Sequence, residues 1–182
     1  MDRIRIDLIR GLGRTAVTAL ALALLLAAIA TPGGAQQAPN QLTFTAVADT
    51  YVDAAAPTTN FDADARLRAD GQPVRIIYLR FAVSGVNGRP VQQARLQLEV
   101  SGASTVTGSV HRVGGNAWSQ TTVTYDTRPT ALGPALATLG PVALGAIAEF
   151  DVSGAIAGDG VYDLAIDSTS SAAVSFVSAA AT

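Results

Sequence analysis

Arginines are the residues of this sequence whose type and spacing best suit binding chemistry. All 12 basic residues are arginine, and four of them, with one tyrosine, alternate with apolar residues in three short segments. A guanidinium group pairs bidentately with a carboxylate, and an aromatic face can stack on a sugar ring. The alternation places on outer surfaces the candidate binding residues Arg66, Arg68, Tyr78, Arg80 and Arg95. Such a surface suits a polymer of acidic sugars; the alternative is a solvated face whose arginines pair with nearby acids such as Glu99.

Two further aromatic residues, Tyr51 and Trp118, are secondary candidates for contact with a sugar. Trp118 is the only tryptophan of the chain and follows a Gly114-Gly115 turn. A lone tryptophan is more often a core anchor with its N–H hydrogen-bonded than an exposed platform, and we favour the core position here.

Catalytic chemistry has little support in the sequence, and no catalytic residue is expected. With 0 cysteines and one histidine, thiolate chemistry and zinc sites with several imidazoles are excluded. A polysaccharide lyase could use Tyr78 or Tyr125 as base, and His111 or Arg112 to neutralise an acidic sugar. Because His111 and Arg112 are adjacent on a short strand, they point to opposite faces, and a lyase is the weakest hypothesis.

Four aspartates fall within sixteen positions of sequence that resembles loops: Asp49, Asp53, Asp62 and Asp64. Calcium takes six to eight oxygen ligands, mainly carboxylates and backbone carbonyls, so this cluster is a candidate site for a structural calcium ion. The spacing lacks the glycine and terminal glutamate of an EF-hand. A turn-forming role for each aspartate explains the residues equally well.

The first 35 residues have the features of a secretory signal peptide. Four arginines precede an apolar run over residues 16–30, and small residues follow it up to Ala35. The run is shorter than the roughly 20 apolar residues of a membrane-spanning helix, so we expect cleavage and secretion without a stable membrane anchor. Cleavage after Ala35 leaves 147 residues with eight arginines against 12 acidic residues, a net charge of −4. This balance argues against a nucleic-acid binder.

After a short tether over residues 36–41, the chain consists of short extended segments separated by glycine and proline. Apolar residues alternate with polar ones over residues 75–83, 95–100 and 161–168, which is typical of half-buried strands in antiparallel sheets. Many short strands of this kind predict an all-β fold over residues 42–182, an antiparallel β-sandwich of jelly-roll type.

Several segments, in order along the chain, carry a family resemblance. They are Ala48-Asp49-Thr50-Tyr51-Val52, Asn60-Phe61, Leu67-Arg68, Tyr78-Leu79-Arg80-Phe81, Ala94-Arg95-Leu96-Gln97-Leu98, Val110-His111-Arg112-Val113, Trp118 to Tyr125, Phe150-Asp151-Val152 and Tyr162 to Ile166. Together they resemble the DNRLRE domain, also classed as carbohydrate-binding module family 96. The resemblance implies a jelly-roll β-sandwich that binds polysaccharide, with alginate as the ligand class linked to the family.

The sequence departs from the family in two places. Gln120 stands where members tend to have an acidic residue, and Phe176-Val177-Ser178 runs into alanines where members have a basic–acidic pair and a final strand. We therefore expect a domain truncated at its C-terminal end, through biology or a shifted reading frame. A missing strand leaves an open sheet edge that invites association.

Three hypotheses follow for the function. The first is a secreted, non-catalytic carbohydrate-binding module for an anionic polysaccharide, the second is a structural or adhesive cell-surface domain, and the third is the lyase. For the first, replacing Arg80 and Arg95 with alanine should weaken binding and leave the stability of the fold almost unchanged.

Overall fold

Ten β-strands and no helix make up the part of the chain that the structure describes. The structure is a computed structural model that describes residues 3–11, 40–105, 108–115 and 117–179. The strands are β1 (Ile4–Arg10), β2 (Asn40–Asp53), β3 (Arg66–Gly71), β4 (Val74–Val83), β5 (Val91–Gly102), β6 (Ser109–Val113), β7 (Leu132–Thr138), β8 (Ile147–Asp151), β9 (Gly160–Asp167) and β10 (Val174–Val177). The prediction of an all-β fold is confirmed. No described helix is long and apolar enough to span a membrane.

All strand pairs are antiparallel, and two long strands organise them. The first half of β2 pairs with β1, and its second half pairs with β4. Strand β4 also pairs with β9, β9 pairs with β6, and β6 pairs with β7. The other long strand, β5, pairs with β1, β8 and β10, and β10 continues to β3. The antiparallel prediction is therefore confirmed, whereas the jelly-roll arrangement stays a prediction.

Strand β4 buries both of its faces, which explains its nearly continuous apolar sequence. Ile77, Leu79 and Phe81 enter the main core together with residues of β1, β3, β5, β8, β9 and β10. The alternate residues Ile76 and Tyr78 belong to a second, smaller cluster on the other face. That cluster is completed by Val52, Val113, Trp118, Val123 and Ala165. A segment over residues 117–131, called the cover segment below, supplies Trp118 and Val123 to it.

The N-terminal strand β1 comes from residues that the sequence analysis assigns to the leader. Its residues Ile4, Ile6 and Leu8 are at most 1% exposed, and the strand lies between β2 and β5. The apolar run of the predicted signal peptide, residues 16–30, lies outside the described residues, so the signal peptide stays a prediction.

The C-terminal tail, predicted to be truncated, forms β10 and is then held in place by a buried aspartate. The Ser178 hydroxyl donates to Asp49 Oδ2 at 2.8 Å, and the Ala179 backbone N–H donates to the same oxygen at 3.0 Å. Asp49 is 5% exposed. Residues 180–182 are outside the described part of the chain.

Candidate functional site

Two of the predicted binding arginines, Arg66 and Arg68, lie close together on β3, one exposed and one half-buried. Because they alternate with the buried Leu67, Arg66 and Arg68 leave the same face of the strand, about 6.7 Å apart along it. Arg66 is exposed and forms no ion pair with any residue that the structure describes. The Arg68 guanidinium lies 3.5 Å from Asp64 and 5.6 Å from the centroid of the Tyr51 ring.

The Arg68 guanidinium lies over one ring of a stacked aromatic pair, Tyr51 and Phe61. The Tyr51 ring is buried and stacks on the half-buried Phe61 ring, with centroids 4.5 Å apart and planes inclined by 24°. The Tyr51 hydroxyl donates to Asp64 Oδ2 at 2.9 Å. Burial, together with this hydrogen bond and the charge of Asp64, raises the pKa of Tyr51 to about 12. Tyr51 is therefore a neutral support at ordinary pH, and Phe61 is the ring that a ligand can reach.

The name β3 patch is used below for Phe61, Arg66 and Arg68. Arg68 pairs with Asp64, whereas Arg66 forms no ion pair with a described residue, so one guanidinium group of the patch is available to an anion. Planar guanidinium groups bind carboxylates through two parallel hydrogen bonds, and the neighbouring ring offers an apolar surface. Phe61 was not predicted as a site residue, although the Asn60-Phe61 pair is part of the family resemblance.

Arg80 has a different role from the one predicted for it. Its Nε donates to Asp163 Oδ1 at 2.7 Å and its Nη2 donates to Asp163 Oδ2 at 3.1 Å. The Asp163 side chain is only 2% exposed, and the guanidinium carbon lies 4.7 Å from the centroid of the Trp118 ring. This geometry contradicts the expectation of an unpaired, solvated guanidinium. We therefore expect replacement of Arg80 to destabilise the fold, because its guanidinium neutralises a buried carboxylate.

Tyr78 is directed out of the sheet but is covered by the cover segment. Its side chain has no exposed surface, and its hydroxyl donates to the Pro129 carbonyl oxygen at 2.7 Å. Burial raises the pKa of Tyr78 to about 12. The expectation of an exposed Tyr78 is thus wrong, because alternation gives the direction of a side chain and not what packs over it.

Trp118 is the anchor of this cover, as the core interpretation of the lone tryptophan predicts. It is 6% exposed, and its ring centroid lies 5.8 Å from that of Tyr78. Its Nε1–H, which we expected to be hydrogen-bonded, is buried and finds no acceptor among the described residues.

Amide side chains connect the cover segment to β2 and to the loop that follows β2. Asn60 Nδ2 donates to the carbonyl oxygens of Gln120 and Val123, both at 2.7 Å. Gln120 Oε1 accepts the Asp49 backbone N–H at 3.1 Å. At the position where the family tends to have an acid, the glutamine therefore still supplies an acceptor oxygen.

Arg95 is solvated and weakly held. It lies on β5, its side chain is 49% exposed, and its Nη1 lies 3.0 Å from Glu149 Oε2 on β8. This pairing with a neighbouring acid matches the alternative of a solvated face. The structure therefore does not bring the five arginine and tyrosine candidates together; it groups Arg66 and Arg68 with the secondary candidate Tyr51.

The four aspartates proposed for calcium are likewise not assembled around one point. Asp49 accepts hydrogen bonds from the C-terminal tail, and Asp53 accepts from Arg75 Nε at 2.7 Å. Asp64 accepts from the Tyr51 hydroxyl. Asp62 contributes its backbone N–H to Asn60 Oδ1 at 3.1 Å. Within the described ranges, no group of three or more His, Asp or Glu side chains could hold a metal ion.

His111 and Arg112, the residues considered for a lyase, have separate surroundings. The His111 ring lies between the Gly133 carbonyl oxygen, 2.9 Å from Nδ1, and Asp167 Oδ1, 3.1 Å from Nε2. Arg112 is exposed and lines an open groove of about 610 Å³ beside Gly114, Leu132 and Pro134. Sequence reasoning did not find this groove, whose only signal is the pair of glycine-rich turns that flank it.

The described part of the chain is all-β and antiparallel, with guanidinium groups and aromatic rings close together at one sheet surface. A comparison with known families gives the class: the family model described as carbohydrate-binding module family 96 matches residues 40–182. The match covers most of the chain, so the chain belongs to this family, and the resemblance seen in its sequence is confirmed. A search of curated proteins finds no match. The strand β1 lies outside the matched residues.

Proposed function

We propose that this protein is a secreted, non-catalytic module that binds an anionic polysaccharide, a uronic-acid polymer such as alginate, at the β3 patch. Family membership supports carbohydrate as the ligand class. The observation that carries the choice of an acidic polymer is the pair of guanidinium groups of Arg66 and Arg68 on one face of β3. The half-buried Phe61 ring stacks on Tyr51, the ring over which the Arg68 guanidinium lies. The non-catalytic part of the proposal rests on the family, whose members are binding modules.

The charges around the patch favour an acidic over a neutral sugar. Arg66 is free to take a carboxylate of the ligand, since it forms no ion pair with a described residue. Arg68 is half-buried and shares its charge with Asp64 at 3.5 Å, a distance that leaves its guanidinium edge able to bind a second anion. The ring of Phe61 adds a surface for the apolar face of the sugar.

The finer features of the fold and of localisation belong to the same proposal. A jelly-roll sandwich is supported by two groups of antiparallel strands that share one core. One group runs from β4 through β9 and β6 to β7, and the other consists of β5 with β8 and β10, and of β3 beside β10. Export is supported by the basic, apolar and small-residue order of residues 1–35.

The proposal is tested by replacing Arg66 and Arg68 with alanine, singly and together, and measuring binding to alginate by affinity electrophoresis or calorimetry. Hydrogen bonds to charged groups contribute about 1.5–3 kcal/mol each, so each loss should weaken binding by about tenfold to a hundredfold. Raising the salt concentration should also weaken binding to alginate, because exposed charges are screened over about 8 Å at 0.15 M.

Arg95→Ala is the matched control, because Arg95 is an exposed arginine on a different strand. It should leave binding unchanged. A polymer whose carboxylates have been reduced to alcohols should bind weakly to every variant. If the Arg66 and Arg68 variants bind alginate as well as the original protein does, the β3 patch is not the site. If no variant distinguishes acidic from neutral polymers, the acidic ligand class is wrong.

A further inference from the structure

The space that β1 occupies between β2 and β5 is a well-formed slot for one extended strand. On one side β1 pairs with residues 40–45 of β2, and on the other with residues 91–98 of β5. Without β1, these two strands would each present unpaired backbone N–H and C=O groups toward the gap. The name strand slot is used below for this space.

The interior of the strand slot selects apolar side chains at alternate positions. Ile6 lies opposite Phe44 and Leu96, and Leu8 lies opposite Leu42 and Ala94. Ile4, Ile6 and Leu8 are at most 1% exposed and belong to the main core. A strand with a polar residue at one of these positions would bury that residue without a partner, which is costly.

One end of the slot selects a cation. Arg10 is only 8% exposed, and its Nη1 donates to the Gly85 carbonyl oxygen. At the other end, Arg3 approaches Glu99 with Nε and Oε2 4.0 Å apart. On the outer face, Asp7 accepts from the Thr43 hydroxyl at 2.7 Å. The slot therefore favours a strand that has apolar side chains at alternate positions and a basic residue at one end.

The strand that fills the slot, β1, differs from the other strands in its family match and in the length of its connection to β2. It lies outside the residues that match the family, which begin at residue 40. Between Arg10 and Asn40, which pair across β1 and β2, the sequence has 29 residues, whereas antiparallel neighbours can be joined by about two. The same residues 4–10 lie in the segment that export would remove.

We propose that the strand slot is an acceptor site for a strand from a partner chain, and that residues 4–10 are its occupant until the leader is removed. The partner contributes an extended segment with apolar residues at three alternate positions and an arginine or lysine two positions after the last of them. This is strand addition, in which backbone hydrogen bonds give affinity and alternate side-chain positions give specificity. The timing of the exchange rests on the proposed export, whereas the slot and its selectivity do not.

Occupancy of the slot in the full chain is tested with a disulfide, which is convenient because the protein has no cysteine. Asp7 and Arg95 are opposite each other across β1 and β5. The full-length Asp7→Cys/Arg95→Cys variant should form an intramolecular disulfide under mild oxidation, because opposed Cα atoms are about 4.5–5.5 Å apart. The control Asp7→Cys/Glu99→Cys is out of register and should stay reduced. A disulfide in neither variant, or equally in both, would overturn the placement of β1 on which the proposal depends.

Exchange is tested on the full chain with a specific protease site placed within residues 12–39. After the chain has folded and been cut, a fluorescent peptide of residues 3–11 should replace the resident segment with one peptide per domain. A peptide with Ile6→Asp and Leu8→Asp should bind about a hundredfold more weakly or not at all, because it carries carboxylates into the core. If the cut domain precipitates when its segment is removed, the native peptide, and not the control, should keep it in solution.

Three results would overturn the proposal. They are equal binding of both peptides, failure of the native peptide to bind or to prevent precipitation, and an unchanged melting temperature once the segment is removed. Binding of alginate by the uncut chain is measured in parallel, so a failure of sugar recognition is distinguished from a failure of the slot.

Discussion

Arg80 and Arg95 look equivalent in the sequence, but the structure predicts very different losses of stability when each is replaced with alanine. Arg80 and Arg95 both alternate with buried leucines or phenylalanines, and both have an acidic partner. The difference is burial: the side chain of Asp163, the partner of Arg80, is 2% exposed, whereas that of Glu149, the partner of Arg95, is 43% exposed.

This difference in burial sets the expected cost of each substitution. Arg80→Ala leaves a buried carboxylate without its cation, and removing one partner of a buried ion pair typically costs about 3–5 kcal/mol. Loss of the guanidinium above the Trp118 ring contributes in the same direction. Since small domains are stable by only about 5–15 kcal/mol, this is a large fraction of the total. Arg95→Ala should cost less than about 1 kcal/mol, as exposed pairs do.

The assay is urea denaturation followed by tryptophan fluorescence, which reports on Trp118 directly because it is the only tryptophan. A double variant, Arg80→Met with Asp163→Leu, should recover most of the loss, because apolar residues of similar volume often replace a buried ion pair without penalty. If Arg80→Ala and Arg95→Ala have the same free energy of unfolding, or if the double variant is less stable than Arg80→Ala, the reasoning is refuted.

Three further predictions concern other contacts. Because the pKa values of Tyr51 and Tyr78 are raised to about 12 from 10.0, their contribution to stability should be complete below pH 10 and be lost as the pH rises to about 12. In an alkaline titration of tyrosinate absorbance, Tyr51→Phe and Tyr78→Phe should each remove a group that titrates late; a late signal unchanged by both substitutions would contradict the burial. Asn60→Ala should cost about 1–3 kcal/mol in urea denaturation, because two carbonyl oxygens of the cover segment lose their donor; an unchanged midpoint would show that the cover is held by packing alone. Gly71→Ala should destabilise by about 1–3 kcal/mol, since its new Cβ would lie 2.6 Å from a backbone carbon, whereas Gly158→Ala meets no atom within 4 Å and should be tolerated.

The strands with clear alternation, and the directions of their side chains, were predictable from the sequence alone. The alternation over residues 75–83 and 95–100 correctly placed Leu79, Phe81 and Leu96 inside, because successive side chains of a strand point to opposite faces whatever lies beyond them. The family was also recognisable in the order of its short segments along the chain.

The accessibility of the outward residues was decided only by the tertiary structure. Arg80 and Tyr78 point out of their sheet and yet are covered by residues 117–131, a segment with no regular alternation and remote in the sequence. The partner of Arg80 is 83 positions away, and β1 is a strand formed by residues whose basic, apolar composition is equally typical of a leader. A local pattern gives a side chain its direction relative to its own backbone, but burial and charge pairing depend on which distant segment packs against it.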